Sequence, residues 1–195
     1  MRPMTTKNTF LKTRLLLAVM VVVTSLTATA HAAAPGITGG AGATATFNLT
    51  ALTAYLTQPD GQSIYSWGYG CSVVPTSFAP AMAGATCGSM QVPGPTLIVT
   101  EGQTVTVNLT NGLPTAAGNT SILFPGFIVA ASGGATGLMT KEAAPGGTVT
   151  YTFTASSPGT RSYYSGTQGD LQIEMGLYGA IIVLPATIPS ACTSG

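Results

Sequence analysis

QTVTVNLTN, residues 103–111, alternates Val105, Val107 and Leu109 with Thr104, Thr106, Asn108 and Thr110. A period of two sets the aliphatic side chains on one dry face and the Thr/Asn side chains on a wet one, the pattern of a half-buried β-strand. TVTYTFTA (148–155) repeats it, with Val149, Tyr151 and Phe153 on the inward side. Just upstream, PTLIV (95–99) and the turn residues Glu101-Gly102 predict a hairpin with 103–111. Further out, ATFNLTAL (45–52) and SIYSWGYG (63–70) are strands separated by the turn Pro59-Asp60-Gly61. GTRSYYSG (159–166) and GAIIVLP (179–185) are closing strands. Between these two, DLQIEMG (170–176) offers Asp170 as an N-cap and Gly176 as a C-terminal stop, which predicts one or two helical turns. Many short strands and no long helix predict an all-β fold, a Greek-key sandwich or barrel with one short helix before the last strand.

A chain of 195 residues, 45% hydrophobic, suits one domain with a sizeable core, and its 25 Gly and 13 Pro suit many turns. Arg2, Lys7, Lys12 and Arg14 precede the apolar run 15–23, and Ala30-His31-Ala32 follows. That order predicts a secretory signal peptide over 1–32, hence an exported, periplasmic or extracellular protein. The run is shorter than the ~20 residues a membrane helix needs, so no membrane span is expected after cleavage. Residues 33–44 are expected to be a flexible Gly/Ala leader, 45–186 the folded domain and 187–195 a linker-like tail. Beyond the leader segment only Lys141 and Arg161 oppose Asp60, Glu101, Glu142, Asp170 and Glu174, a formal charge of 2 − 5 = −3. Such a chain has no basic patch for nucleic acid.

Cys71 and Cys87 flank a Pro/Ala/Gly-rich loop, and an oxidising compartment favours their disulfide. Closing a loop of this length stabilises by about 3 kcal/mol on chain-entropy reasoning. Cys192 is the odd cysteine, open to pairing with another chain or with further sequence.

The only histidine, His31, leaves with the signal peptide. Ser/His/Asp and Cys/His mechanisms therefore lack their base, and a blue-copper centre lacks its two imidazoles. Met82, Met90, Met139 and Met175 form no Met-x-x-Met cluster and are expected to fill gaps in the core. Asp170 and Glu174, four apart on the short helix, are expected on a solvated face. Tyr163, Tyr164, Trp67 and Tyr69 are expected to pack on strands rather than stack sugars or polyphenols. The Asn-x-Thr/Ser triplets at Asn48, Asn108 and Asn119 are expected to be structural.

Three stretches carry a closer likeness: VPGPTLIVTEGQTVTVNLTNGLP (92–114), APGGTVTYTFTASSPGT (144–160) and DLQIEMGLYGAIIVLP (170–185). In that order and spacing they resemble the N-terminal plastocyanin-like, or cupredoxin, domain of multicopper oxidases of the laccase-like family, over residues ~45–185. In that family the domain supplies two His-x-His pairs, which join partner histidines of a later domain around a trinuclear copper cluster that reduces dioxygen. The resemblance aligns the first pair with Ile122-Leu123-Phe124-Pro125-Gly126, so Leu123 and Pro125 stand at ligand positions. It aligns the second with Tyr163-Tyr164-Ser165-Gly166, where Tyr164 and Gly166 stand at them.

The resemblance thus implies a cupredoxin scaffold without copper ligands: no catalytic residue, no copper bound by this chain, and a role as a scaffold or interaction module. The alternative is the N-terminal part of a larger multicopper oxidase whose copper sites lie in domains beyond this chain. A self-contained copper carrier is opposed by the residue chemistry. The vacated face, expected to carry Leu123, Phe124, Pro125, Tyr163 and Tyr164, is expected to contact a missing later cupredoxin domain or a second chain, through Phe124, Tyr163 and Tyr164.

Overall fold

A computed structural model describes residues 35–75, 77–81, 84–187 and 190. Residues 1–32, expected to be a signal peptide, and Met82 and Cys192 lie outside the described residues. In chain order the strands are β1 (Gly36–Thr38), β2 (Thr44–Thr57), β3 (Ser63–Cys71), β4 (Ser77–Ala79), β5 (Leu97–Thr100) and β6 (Thr104–Asn111). There follow β7 (Ala130–Gly133), β8 (Ala135–Thr136), β9 (Lys141–Glu142), β10 (Thr148–Thr154), β11 (Gly159–Tyr164) and β12 (Tyr178–Leu184). A single α-helical turn, α1 (Gly169–Gln172), sits before β12, and a 3-10 turn spans Thr115–Ala117.

Two five-stranded sheets form the sandwich, in the orders β11-β12-β5-β1-β4 and β3-β2-β6-β10-β7, with β8-β9 as a small separate ribbon. The alternation at 103–111 places side chains as expected: Val105, Val107 and Leu109 are buried, and Val149, Tyr151 and Phe153 oppose them from β10. From the first sheet, Leu97, Val99, Ile181 and Val183 close the same core. Cupredoxin-type all-β architecture with one short helix before the last strand is what forms.

Four local expectations are corrected. Residues 95–99 and 103–111 do not make a hairpin: β5 pairs with β12 and β1, whereas β6 pairs with β2 and β10. The turn at Glu101-Gly102, where Gly102 takes φ +87°, carries the chain from one sheet to the other, because both strands bury side chains in one core between the layers. Residues 36–38, expected in a flexible leader, form β1, whose Ile37 is buried and pairs with Leu97. Asp170 does not cap the helix; Gln168, left-handed at φ 46°, holds the cap position without a side-chain bond, and Asp170 lies in the first turn. Met139 is 68% exposed and fills no gap, while Met175 packs on the core.

The bridge between Cys71 and Cys87 is present, with S–S 1.99 Å and Cα–Cα 5.7 Å. It ties the end of β3 to the segment whose Gln91 pairs with Tyr69. Asn48 and Asn108, adjacent on β2 and β6, spend their side chains on each other at 2.9 Å, and Asn119 donates to Glu142, which fits the structural role expected of them.

Candidate functional site

Two segments carry the positions aligned with copper ligands, and the fold brings them side by side. Leu123 and Tyr164 form an antiparallel bridge, with Leu123 N–H donating to Tyr164 O at 2.7 Å and Tyr164 N–H to Leu123 O at 3.3 Å. Gly166 lies against the Leu123 side chain: a Cβ on Gly166 would stand 2.8 Å from Leu123 Cγ and 3.0 and 3.1 Å from its two methyl carbons. Leu123, Tyr164 and Gly166 are therefore one cluster, with the leucine occupying the space in front of the glycine. Pro125 stands apart, exposed in the turn after Phe124.

Phe124 and Tyr163 do not line a surface. Phe124 is 3% exposed and Tyr163 0%, both packed into the core. Phe124 packs on Phe153 at 4.9 Å, Tyr163 at 5.8 Å and Tyr151 at 6.0 Å between ring centroids. The contact expected through Phe124, Tyr163 and Tyr164 thus keeps only Tyr164, whose side chain is half-buried. Trp67 and Tyr69 are core residues too, as strand packing predicts.

The buried phenols are anchored rather than reactive. Tyr69 OH donates to Ser121 O and Tyr163 OH to Pro95 O, both at 2.7 Å. Tyr151 OH donates to Lys141 O at 2.8 Å and accepts from Ile122 N–H at 3.1 Å. Burial pushes all three phenol pKa values up from their ordinary value, so they remain neutral donors.

Beside this cluster runs a buried hydrogen-bond network that sequence reasoning did not find. Gln172, fully buried, accepts from Thr120 Oγ1 at 2.9 Å and Ser165 Oγ at 2.7 Å and donates to Asn119 O at 2.8 Å. Ser121 and Thr167 share a hydroxyl bond at 2.8 Å, and Thr167 donates to the Glu142 carboxylate at 2.9 Å. The network joins 119–121, 165–167, α1 and β9. Its only sequence signal is a run of small polar residues, Asn119-Thr120-Ser121, entering an apolar strand, which a loop would show equally.

Copper does not fit the donors present. Leu123, Pro125 and Gly166 offer no side-chain nitrogen, sulfur or oxygen, Tyr164 offers only a phenol oxygen, and copper favours imidazole and thiolate. Cys71 and Cys87 are oxidised to their bridge. The Glu142 carboxylate, bonded to Thr167 next to Gly166, already accepts from Thr167 and Asn119. Among the described residues no three His, Cys, Asp or Glu side chains gather into a metal-binding group.

Comparisons with known proteins fit this geometry. A family model described as multicopper oxidase matches residues 78–187. A multicopper oxidase of Talaromyces pinophilus is 37% identical over 98 residues, 49% of this chain and 15% of that protein. An L-ascorbate oxidase of Brassica rapa subsp. pekinensis is 40% identical over 96 residues, 48% of this chain and 16% of that protein. This chain therefore matches only about 15% of the length of these relatives. Among solved structures, the multicopper oxidase of Campylobacter jejuni, a metallo-oxidase, superposes with a TM-score of 0.59 at 19% identity, over 80% of this chain and 29% of that one, a likeness of fold. With more than half of its residues matched by the family model and its strands in the cupredoxin arrangement, the chain belongs to the multicopper oxidase family.

Proposed function

We propose that this chain is a cupredoxin domain of multicopper-oxidase type that works without copper, as an exported scaffold or interaction module. The observation that carries the reading is the seating of Leu123 against Gly166, which puts an aliphatic side chain where the resemblance aligns two ligands. A fold that keeps its core, its turns and a fully paired polar network around such a position supports retention of the scaffold for a purpose other than metal chemistry. In this reading residues 1–32 are removed on export, 45–186 form the module, and its partner is a later cupredoxin domain or a second chain.

A second reading is favoured by one finding, the small share of each relative that the chain matches. There the chain is the N-terminal part of a larger oxidase whose copper sites lie in other domains. Metal analysis tests the first reading. The processed chain, its N-terminus mapped by mass spectrometry so that His31 is known to be gone, is incubated with Cu(II), desalted and assayed for copper. The expected result is no stoichiometric copper and no blue absorption band. One tightly held copper per chain, or micromolar Cu(II) affinity by calorimetry, overturns it.

A further inference from the structure

β2 and β3 outrun the sheet they belong to. Their mutual register runs from Leu49↔Cys71 to Thr57↔Ser63, whereas β6 leaves β2 at Ala51↔Asn111. Beyond that point the two strands continue as an arm, turned back at its tip by Asp60, whose carboxylate accepts from Gln62 N–H at 3.0 Å, and by Gly61 at φ +84°. Two strands without a third are marginally stable by themselves. On this arm Tyr55 and Tyr65 stand directly opposite each other, 71% and 40% exposed, with ring centroids 5.4 Å apart and ring planes at 52°.

We propose that Tyr55 and Tyr65 are an oxidative cross-linking site, which one-electron oxidation joins into an intrachain dityrosine. The co-reactant is hydrogen peroxide, acting through a haem peroxidase. Each phenol gives up one electron and its O–H proton, and the two phenoxyl radicals join through ring carbons adjacent to the oxygens. The hydrogens on the joined carbons then shift to the oxygens and restore both phenols. One C–C bond forms, and the two electrons and two protons released reduce one peroxide to two waters. The site goes beyond the copper-free reading and does not rest on it.

Access and register select this pair. Tyr69, Tyr151 and Tyr163 are buried and bonded to backbone carbonyls, out of reach of an external oxidant. Tyr164 and Tyr178 also face each other across β11 and β12, but Tyr164 is half-buried. Tyr55 and Tyr65 are both open to solvent, and the strand register holds their rings together. On one side Thr53 pairs with Trp67, which is anchored in the core, and on the other Thr57 pairs with Ser63. Directly opposed residues keep their Cβ atoms about 4.5–5.5 Å apart. Two phenols so held meet at an effective concentration that separate chains do not reach, so coupling within the arm outruns coupling between molecules. The product is a covalent tie across the part of the hairpin that no third strand supports among the described residues.

Peroxidase treatment of the processed chain with hydrogen peroxide tests the site. Products are mapped by tandem mass spectrometry of peptides, since peroxide also adds oxygen to exposed Met139. The expected product is a linked peptide pair joining Tyr55 to Tyr65, short of two hydrogen atoms, with dityrosine fluorescence carried by the single-chain species and a yield per chain that dilution does not change. Tyr55→Phe and Tyr65→Phe keep the ring and remove the phenol, and each is expected to lose most of that fluorescence, while Tyr164→Phe keeps it. Amide exchange in the arm is expected to slow in the linked chain, because the two strands can no longer part freely. Absence of a linked product, a product that maps to Tyr164 and Tyr178 or joins separate chains, or fluorescence that survives in both arm variants overturns the proposal.

Discussion

Adding one carbon at Gly166 tests the closed ligand position most directly. In Gly166→Ala the new Cβ meets Leu123 Cγ at 2.8 Å and its methyl carbons at 3.0 and 3.1 Å, well inside ordinary carbon contact. Leu123 cannot slide away as a unit, because its N–H and C=O are both bonded to Tyr164. The side chain must leave its rotamer or the two segments must part. Overpacking of this kind destabilises by about 1–3 kcal/mol. For a domain of this size each kcal/mol lowers the melting temperature by about 2–4 °C, so a fall of about 2–12 °C is expected.

Leu123→Ala alone removes half-buried methyl groups and loses about 1–2 kcal/mol at roughly 0.8 kcal/mol per buried methylene. In the double variant the clash has gone, so its loss is smaller than the sum of the two by about 1 kcal/mol or more. Urea unfolding of the four proteins gives that coupling as a double-mutant cycle. Independent sites add to within about 0.3–0.5 kcal/mol. A cycle that closes within that margin, or a Gly166→Ala protein as stable as the parent, would refute the claim that leucine and glycine are fitted to each other.

Replacing Cys71 and Cys87 together by Ser frees the loop between them, and a stability loss of about 3 kcal/mol is expected by urea unfolding; an unchanged midpoint would show that the bridge constrains nothing. Stability should fall as pH rises beyond about 10. The sign follows from the buried phenols: Tyr69, Tyr151 and Tyr163 hold their protons in the folded state above the ordinary value of 10.0, whereas the unfolded chain releases them there. Thermal melts between pH 8 and 11 check this, and rising stability across that range contradicts it.

What sequence alone determines here is whatever rests on local period and on residue inventory. The alternation at 103–111 and 148–155 fixes which side chains face the core, since a strand has only two faces and a one-residue slip would bury threonine. No histidine falls within residues 45–186, so that stretch offers no imidazole. The cysteine pair was legible because two cysteines flanking one short Pro/Ala/Gly-rich loop leave few alternatives.

Tertiary structure decided everything that depends on which strands become neighbours. A turn signal at Glu101-Gly102 reads the same whether the chain folds back beside itself or crosses to the facing sheet, and only pairing with β12 and β2 settled the crossing. Phe124 and Tyr163, which look like an apolar surface in the sequence, are core because Phe153, Tyr151 and Tyr69 close over them from distant segments. The fit of Leu123 to Gly166 and the bond from Thr120 to Gln172 join residues more than forty positions apart. Contacts of that kind leave no local period to read, because they follow from the packing of whole layers rather than from the chain's own repeat.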